Sequence, residues 1–182
     1  MKAGVPATVP CTAVNKVCAS GMKALMLGAQ SIMCGMNSVV LVAGMESMSN
    51  VPHYLPSVRT GKKMGDVSCV DGMIKDGLWD PYNNQHMGNF AEKCARHYQI
   101  TRAEQDTYAI QSFERAAGAV KDMVREITPV IIRDKKGTAV TVSADEGIKQ
   151  LNAAKMQHLK PSFQDDGTVT AANASQVRQL NF

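Results

Sequence analysis

Cysteine is the most nucleophilic side chain a protein carries near neutral pH. This chain places one, Cys18, in the run Val14-Asn15-Lys16-Val17-Cys18-Ala19-Ser20-Gly21-Met22-Lys23-Ala24. The small residues at 19, 20 and 21 leave the sulfur open to a substrate and let backbone N–H groups approach it. Behind them Met22, Leu25, Met26, Ala29, Ile32 and Met33 recur at steps of three and four, the period of a helix with one apolar face. Cys18 then stands at a helix N-terminus, where unpaired N–H groups and the positive end of the macrodipole favour an anionic sulfur. Cys11, Cys34, Cys69 and Cys94 lack that setting and read as small buried hydrophobes. Among the histidines, His86 stands out only by the Met87-Gly88 that follows it. His53, His97 and His158 read as surface residues.

The elements that must position this cysteine follow from the pattern around it. Residues 7–13 look extended, and Gly35 ends the helix. Residues 38–44 form an apolar run without polar alternation, which predicts a strand buried on both faces of a parallel sheet. Strand, helix and strand in that order make a βαβ unit, so the fold class is α/β. Residues 45–80 are rich in Gly, Pro, Ser and Asn and predict turns. Helices are expected over about 88–98 and from Thr101, whose Thr-Arg-Ala-Glu has capping-box form, towards Asp122. Strands over 128–133 and 138–142 flank Lys135-Lys136-Gly137 as a hairpin turn. Residues 167–175 read as a final strand ending in small residues.

Bulk properties remove several function classes. The five cysteines lack regular spacing and the chain has 182 residues, which argues against a disulfide framework and for a reducing compartment. No Cys/His spacing suits zinc, and no metal site is expected. No apolar run is long enough to span a membrane. The net charge of +4 is modest and no aromatic-basic interleaving occurs, so neither a nucleic acid nor a membrane is expected as a partner. A mildly basic surface suits a polyanionic small molecule.

The wording Asn-Lys-Val-Cys-Ala-Ser-Gly-Met-Lys-Ala resembles the nucleophile motif of the thiolases, in the short-chain branch that forms and cleaves acetoacetyl-CoA. Gly44-Met45-Glu46-Ser47-Met48-Ser49-Asn50, His86-Met87-Gly88 and the run from Gly167 to Ser175 extend the likeness over nearly the whole chain. The resemblance implies a thiolase fold: residues 1–50 in part of the N-terminal α/β half, 51–166 as an inserted loop domain, and 167–182 as a return strand with a divergent tail. It implies an acyltransferase in which Cys18 carries an acetyl group during reversible condensation of two acetyl-CoA to acetoacetyl-CoA and CoA. His86 and Met87 would line the acyl and pantetheine channel, and Gln150, Leu151, Asn152 and Lys155 would meet the nucleotide end of coenzyme A. Ala171 and Ser175 would approach the pantetheine. Coenzyme A is then substrate and product, with no permanently bound cofactor. Phe113 replaces the tyrosine of potassium-dependent members and has no oxygen to offer, which argues against potassium activation. Homodimers or homotetramers of a full-length protein, in mitochondria or cytoplasm, complete the expectation.

The family's Gly-His-Pro histidine and Cys-Asn-Gly-Gly cysteine, which serve as base and acid, do not occur in this sequence. Each loss should cost roughly 10²–10⁴-fold in rate. The chain is therefore expected to be truncated at both ends, without the C-terminal half, and inactive on its own. The alternative is a non-catalytic thiolase-like chain that binds coenzyme A or pairs with full-length subunits. A thiol-redox protein ranks last, because Cys18 has no CxxC partner.

Overall fold

The computed structural model describes residues 3–134, 136–150 and 152–175, with 149 and 150 as backbone alone. It divides into two compact units, Met1–Gly77 and Leu78–Phe182.

In the first unit the predicted helix is present as α1, Ser20–Met33. It ends as expected: Gly35 takes φ +70°, its N–H donates to the Ile32 carbonyl, and the Met36 N–H donates to that of Ser31. This paired closure satisfies two carbonyls that the last turn would leave unbonded. Residues 38–44 run along α1, and Gly28 is where the two meet. A Cβ there would lie 3.0 Å from Val42 Cγ2 and 3.2 Å from Val40 Cγ1.

The expected strand over 38–44 is not formed, and neither is one over 7–13. Val40 and Val42 are half-buried against α1, whereas Val39 and Leu41 are 88% and 83% exposed. A strand exists through its ladder, and no other described segment pairs with this one. The apolar run therefore has one covered face instead of two. The same shortage leaves the apolar stripe of α1 open, with Met22 69% and Leu25 60% exposed. It also corrects the expectation of buried cysteines: Cys11, Cys34, Cys69 and Cys94 are all exposed.

The turn-rich region holds a short antiparallel pair, β1 (His53–Tyr54) with β2 (Val70–Asp71), and a π-helical turn over Ile74–Leu78. Tyr54 Oη donates to Asp76 Oδ2.

The second unit begins with an antiparallel pair, β3 (Trp79–Asp80) and β4 (Gln85–His86). Two helices follow where predicted, α2 (Met87–His97) and α3 (Arg102–Met123). Thr101 caps α3: its Oγ1 accepts the Glu104 N–H, and the Glu104 carboxylate accepts the Thr101 N–H at 2.7 Å. The predicted hairpin is β5 (Val130–Arg133) with β6 (Ala139–Val142), in register from Val130↔Val142 to Arg133↔Ala139. Gly137 supplies φ +82° in its turn. A short helix, α4 (Ala153–Met156), is capped by Asn152, whose Oδ1 accepts the Lys155 N–H at 3.0 Å.

Residues 167–175 do not form the expected strand. The Thr168, Val169, Thr170 and Ala172 backbone donors are met by side chains instead. Glu92 and Asn173 do what a neighbouring strand would do, as described below. Val169 and Thr170 lie in the small core of this unit with Ala95, Ala109 and Met156.

Candidate functional site

Cys18 is exposed and lies two residues before α1, whose N-cap, Ala19, has no side-chain oxygen to spend on the first-turn N–H groups. The residue before it, Val17, has φ +51°. A β-branched side chain in this left-handed region costs on the order of 1–3 kcal/mol and persists only where its surroundings over-determine it. The surroundings are a set of short bonds. Asn15 Oδ1 accepts the Val17 N–H at 2.9 Å. Ser20 Oγ accepts the Lys16 N–H at 2.8 Å and donates to the Val17 carbonyl at 2.7 Å. The Ala19 and Ser20 N–H groups donate to the Lys16 and Val17 carbonyls at 3.1 Å each. The turn thus presents one thiol at a fixed, strained, open position. Asn15 and Ser20 are the residues that sequence reasoning missed, having counted Ser20 only as small. A polar side chain on either side of the cysteine was the available signal.

His86 ends β4 and caps α2: its Nδ1 accepts the Gly88 N–H at 3.0 Å, so a neutral ring carries its proton on Nε2. The ring stacks on Phe163, centroids 5.1 Å apart and planes 24° from parallel. Gly88 is required by that stack, because any Cβ at 88 would overlap the Phe163 ring. Met87 is exposed. Gln85 Oε1, beside His86, is buried with no hydrogen-bond partner among the described residues.

Residues 167–175 are held from below by Glu92, which is only 2% exposed. Its carboxylate accepts the Thr168 N–H at 2.9 Å, the Val169 N–H at 2.8 Å and the Thr168 hydroxyl at 3.1 Å. Burial pushes the Glu92 pKa up. The Thr168 and Val169 donors, with Arg96 nearby, outweigh it, and the net shift is downward. Further along, Asn173 Oδ1 accepts the Thr170 N–H at 2.7 Å, while its Nδ2 donates to Asp106 Oδ1 and the Thr168 carbonyl. So fixed, residues 172–175 face α3 across a cavity of about 430 Å³. Tyr108, Ser112 and Phe113 line the α3 side, and Gly147 and Ile148 close another edge. That volume falls within the range of small-molecule sites.

The predicted residues divide as follows. Ser175 lines the cavity, and the helical turn Gly147–Gln150 borders it through its first two residues. Ala171 is exposed just outside the lining. Asn152 and Lys155 are exposed on α4, with the Asn152 oxygen already used as its cap. His86 and Met87 do not line this cavity. Gln150 is described by its backbone alone, and Leu151 and the tail 176–182 lie outside the described residues. Among the described residues no three His, Cys, Asp or Glu side chains are placed to share a metal ion. No described helix is long and apolar enough to cross a membrane.

Comparison with known proteins adds an independent line. A family model described as "Thiolase, N-terminal domain" matches residues 1–179. Acetyl-CoA acetyltransferase 2 of Arabidopsis thaliana is 55% identical over 179 residues, 96% of this chain and 44% of that protein. A cytosolic acetyl-CoA acetyltransferase of Gibberella zeae is 49% identical over 96% of this chain and 45% of its own length. A mitochondrial one from Aspergillus fumigatus is 51% identical over 96% and 41%. The solved structure of acetyl-CoA acetyltransferase from Syntrophomonas wolfei superposes with a TM-score of 0.87 at 41% identity, over 97% of this chain and 45% of that one. The chain spans a little under half the length of the relatives it matches.

Proposed function

This chain belongs to the thiolase family, and from that premise we propose that it is the nucleophile-bearing portion of an acetyl-CoA acetyltransferase. On this reading residues 1–50 and 167–182 belong to the N-terminal half and residues 51–166 to the loop domain. The Cys18 thiolate attacks the keto carbon of acetoacetyl-CoA. The bond between the two acetyl units breaks, acetyl-CoA leaves after protonation of its α-carbon, and an acetyl thioester remains on Cys18. The thiol of a second coenzyme A then takes the acetyl group and returns the cysteine. The condensation runs through the same intermediate in reverse. A thiolate serves both directions because it attacks well and leaves well.

The observation that carries this reading is the Cys18 turn: an open sulfur beside a left-handed valine, held by Asn15 and Ser20. Backbone strain kept in place at an exposed nucleophile fits a working position better than a structural one. The cavity bordered by Ser175 supports a coenzyme A site in the second unit, with Gln150, Leu151, Asn152 and Lys155 towards the nucleotide and Ala171 towards the pantetheine. His86 and Met87 are assigned to the acyl end, and the cell interior, cytosol or mitochondrion, is the proposed location.

All five cysteines are exposed, so they provide their own control. Incubation with acetyl-CoA followed by peptide mass mapping should place an acetyl group on Cys18 ahead of the other four. Even labelling of all five would overturn the assignment. A second reading, a non-catalytic chain that binds coenzyme A or pairs with longer subunits, draws on the uncovered apolar stripe of α1. Coenzyme A binding without any acetyl-Cys18 would select it.

A further inference from the structure

The coenzyme A site proposed above draws on two separate stretches of the second unit, the α4 region with Asn152 and Lys155 and the 167–175 run with Ala171 and Ser175. Neither stretch is a strand in a ladder, and the described backbone bond that reaches the run from this side, Ser162 N–H to the Val169 carbonyl at 2.9 Å, lies beyond α4. What ties α4 itself to the run is one ion pair on the first turns of α3. Arg102 Nε donates to Asp106 Oδ2 at 2.8 Å, and Arg102 Nη2 donates to the Met156 and Leu159 carbonyls at 2.8 and 3.1 Å. The guanidinium thereby holds the C-terminal end of α4. The other oxygen of the same carboxylate, Asp106 Oδ1, accepts from Asn173 Nδ2 at 2.9 Å. Asn173 in turn fixes the Thr170 N–H and the Thr168 carbonyl.

We infer that Arg102 and Asp106 are positioning residues that set the spacing between the nucleotide-facing and pantetheine-facing halves of the coenzyme A site. The inference rests on the site assignment made above. Asp106 is nearly buried and Arg102 partly so, which shields the pair from the solvent screening that weakens exposed ion pairs. A guanidinium suits the role because its planar fork reaches a carboxylate and two carbonyls at once without rearranging. Lysine would offer charge without that fixed geometry. The chemistry predicts a particular kind of defect. Each half-site keeps its own residues when the tie is cut, but a ligand spanning both halves loses the benefit of finding the second one already in place.

The test measures binding of three probes to the full 182-residue chain: coenzyme A, adenosine 3′,5′-bisphosphate for the nucleotide half, and pantetheine for the other. Asp106→Asn and Arg102→Lys are compared with the unaltered chain. Coenzyme A affinity should fall roughly tenfold or more in both variants, while affinities for the two half-ligands change less than about twofold. A general loss of structure would weaken all three probes together, so a parallel loss overturns the inference. So does unchanged coenzyme A affinity. Arg102→Lys retains the charge beside Asp106 and serves if Asp106→Asn does not fold. If the unaltered chain binds none of the probes, the coenzyme site assignment fails and this inference goes with it. If it binds coenzyme A and the variants bind it equally, the positioning role alone fails.

Discussion

Ser20 makes two opposed hydrogen bonds around the cysteine, accepting from Lys16 and donating to Val17. Removing its hydroxyl takes the partner from the Lys16 N–H, leaves the Val17 carbonyl with the Ser20 N–H alone, and frees Val17 to leave its left-handed conformation. Ser20→Ala should slow acetyl transfer to Cys18 by roughly tenfold, since small displacements of a reacting atom cost rate steeply. Cys18→Ala should abolish it, and timed mass spectrometry of the Cys18 peptide measures both. The place of the cysteine just ahead of a helix was legible because small neighbours and helix period converge on it. The conformation of Val17 was not, because nothing local makes a valine choose positive φ. Phe113 belongs to the same scale. Its ring borders the cavity and offers no oxygen to a cation, so activity of a protein carrying both thiolase halves should be nearly equal in potassium and sodium salts.

Between helices and strands, the sequence is read with unequal success, and the reason is physical. α2 and α3 fall within a residue or two of expectation because a helix satisfies its own backbone and carries its caps beside it, as Thr101 and Glu104 do. The β5–β6 hairpin was legible for a similar reason, its partner lying across a loop of five residues. Residues 38–44 and 167–175 were read as strands from apolar and small residues alone, yet a ladder depends on a partner that pattern cannot supply. In the second case Glu92 takes the partner's place. Glu92→Gln should destabilise the second unit by roughly 1–3 kcal/mol near neutral pH, because an amide nitrogen would face an N–H donor. The folded carboxyl has a lowered pKa, so the stability it contributes is present above the unfolded value near 4.3 and is lost as pH falls through the folded one. The gap in urea midpoint between native chain and variant should therefore narrow below about pH 4. At the start of α2, Gly88→Ala forces a methyl group into the Phe163 ring and should cost about 1–3 kcal/mol, with loss of the His86 stack read from aromatic proton shifts.

At the scale of the whole molecule, family membership was legible from motifs spread along nearly the entire chain. What motifs do not convey is how much of an apolar face will find cover. Met22, Leu25, Val39 and Leu41 are exposed together in the first unit. Large apolar side chains left open in this number mark contact sites or association. The chain expressed alone should self-associate and bind an apolar dye, and sedimentation velocity at several concentrations would reveal a stable monomer if this is wrong. It should also lack measurable thiolysis of acetoacetyl-CoA, since neither the family's histidine nor its second cysteine is in the sequence. Turnover by the purified chain at rates typical of enzymes would show that other residues supply the base.

The grip of Glu92 on Thr168 and Val169 has one more consequence. Amide protons in a ladder are shielded by a carbonyl, which ignores mild acid, and they exchange with deuterium only when the structure opens. These two are shielded by a carboxylate. Their exchange clock therefore runs on proton uptake by one side chain. Acid strong enough to protonate Glu92, below the ordinary carboxylate range, should release them first, while the helical amides of α3 stay protected.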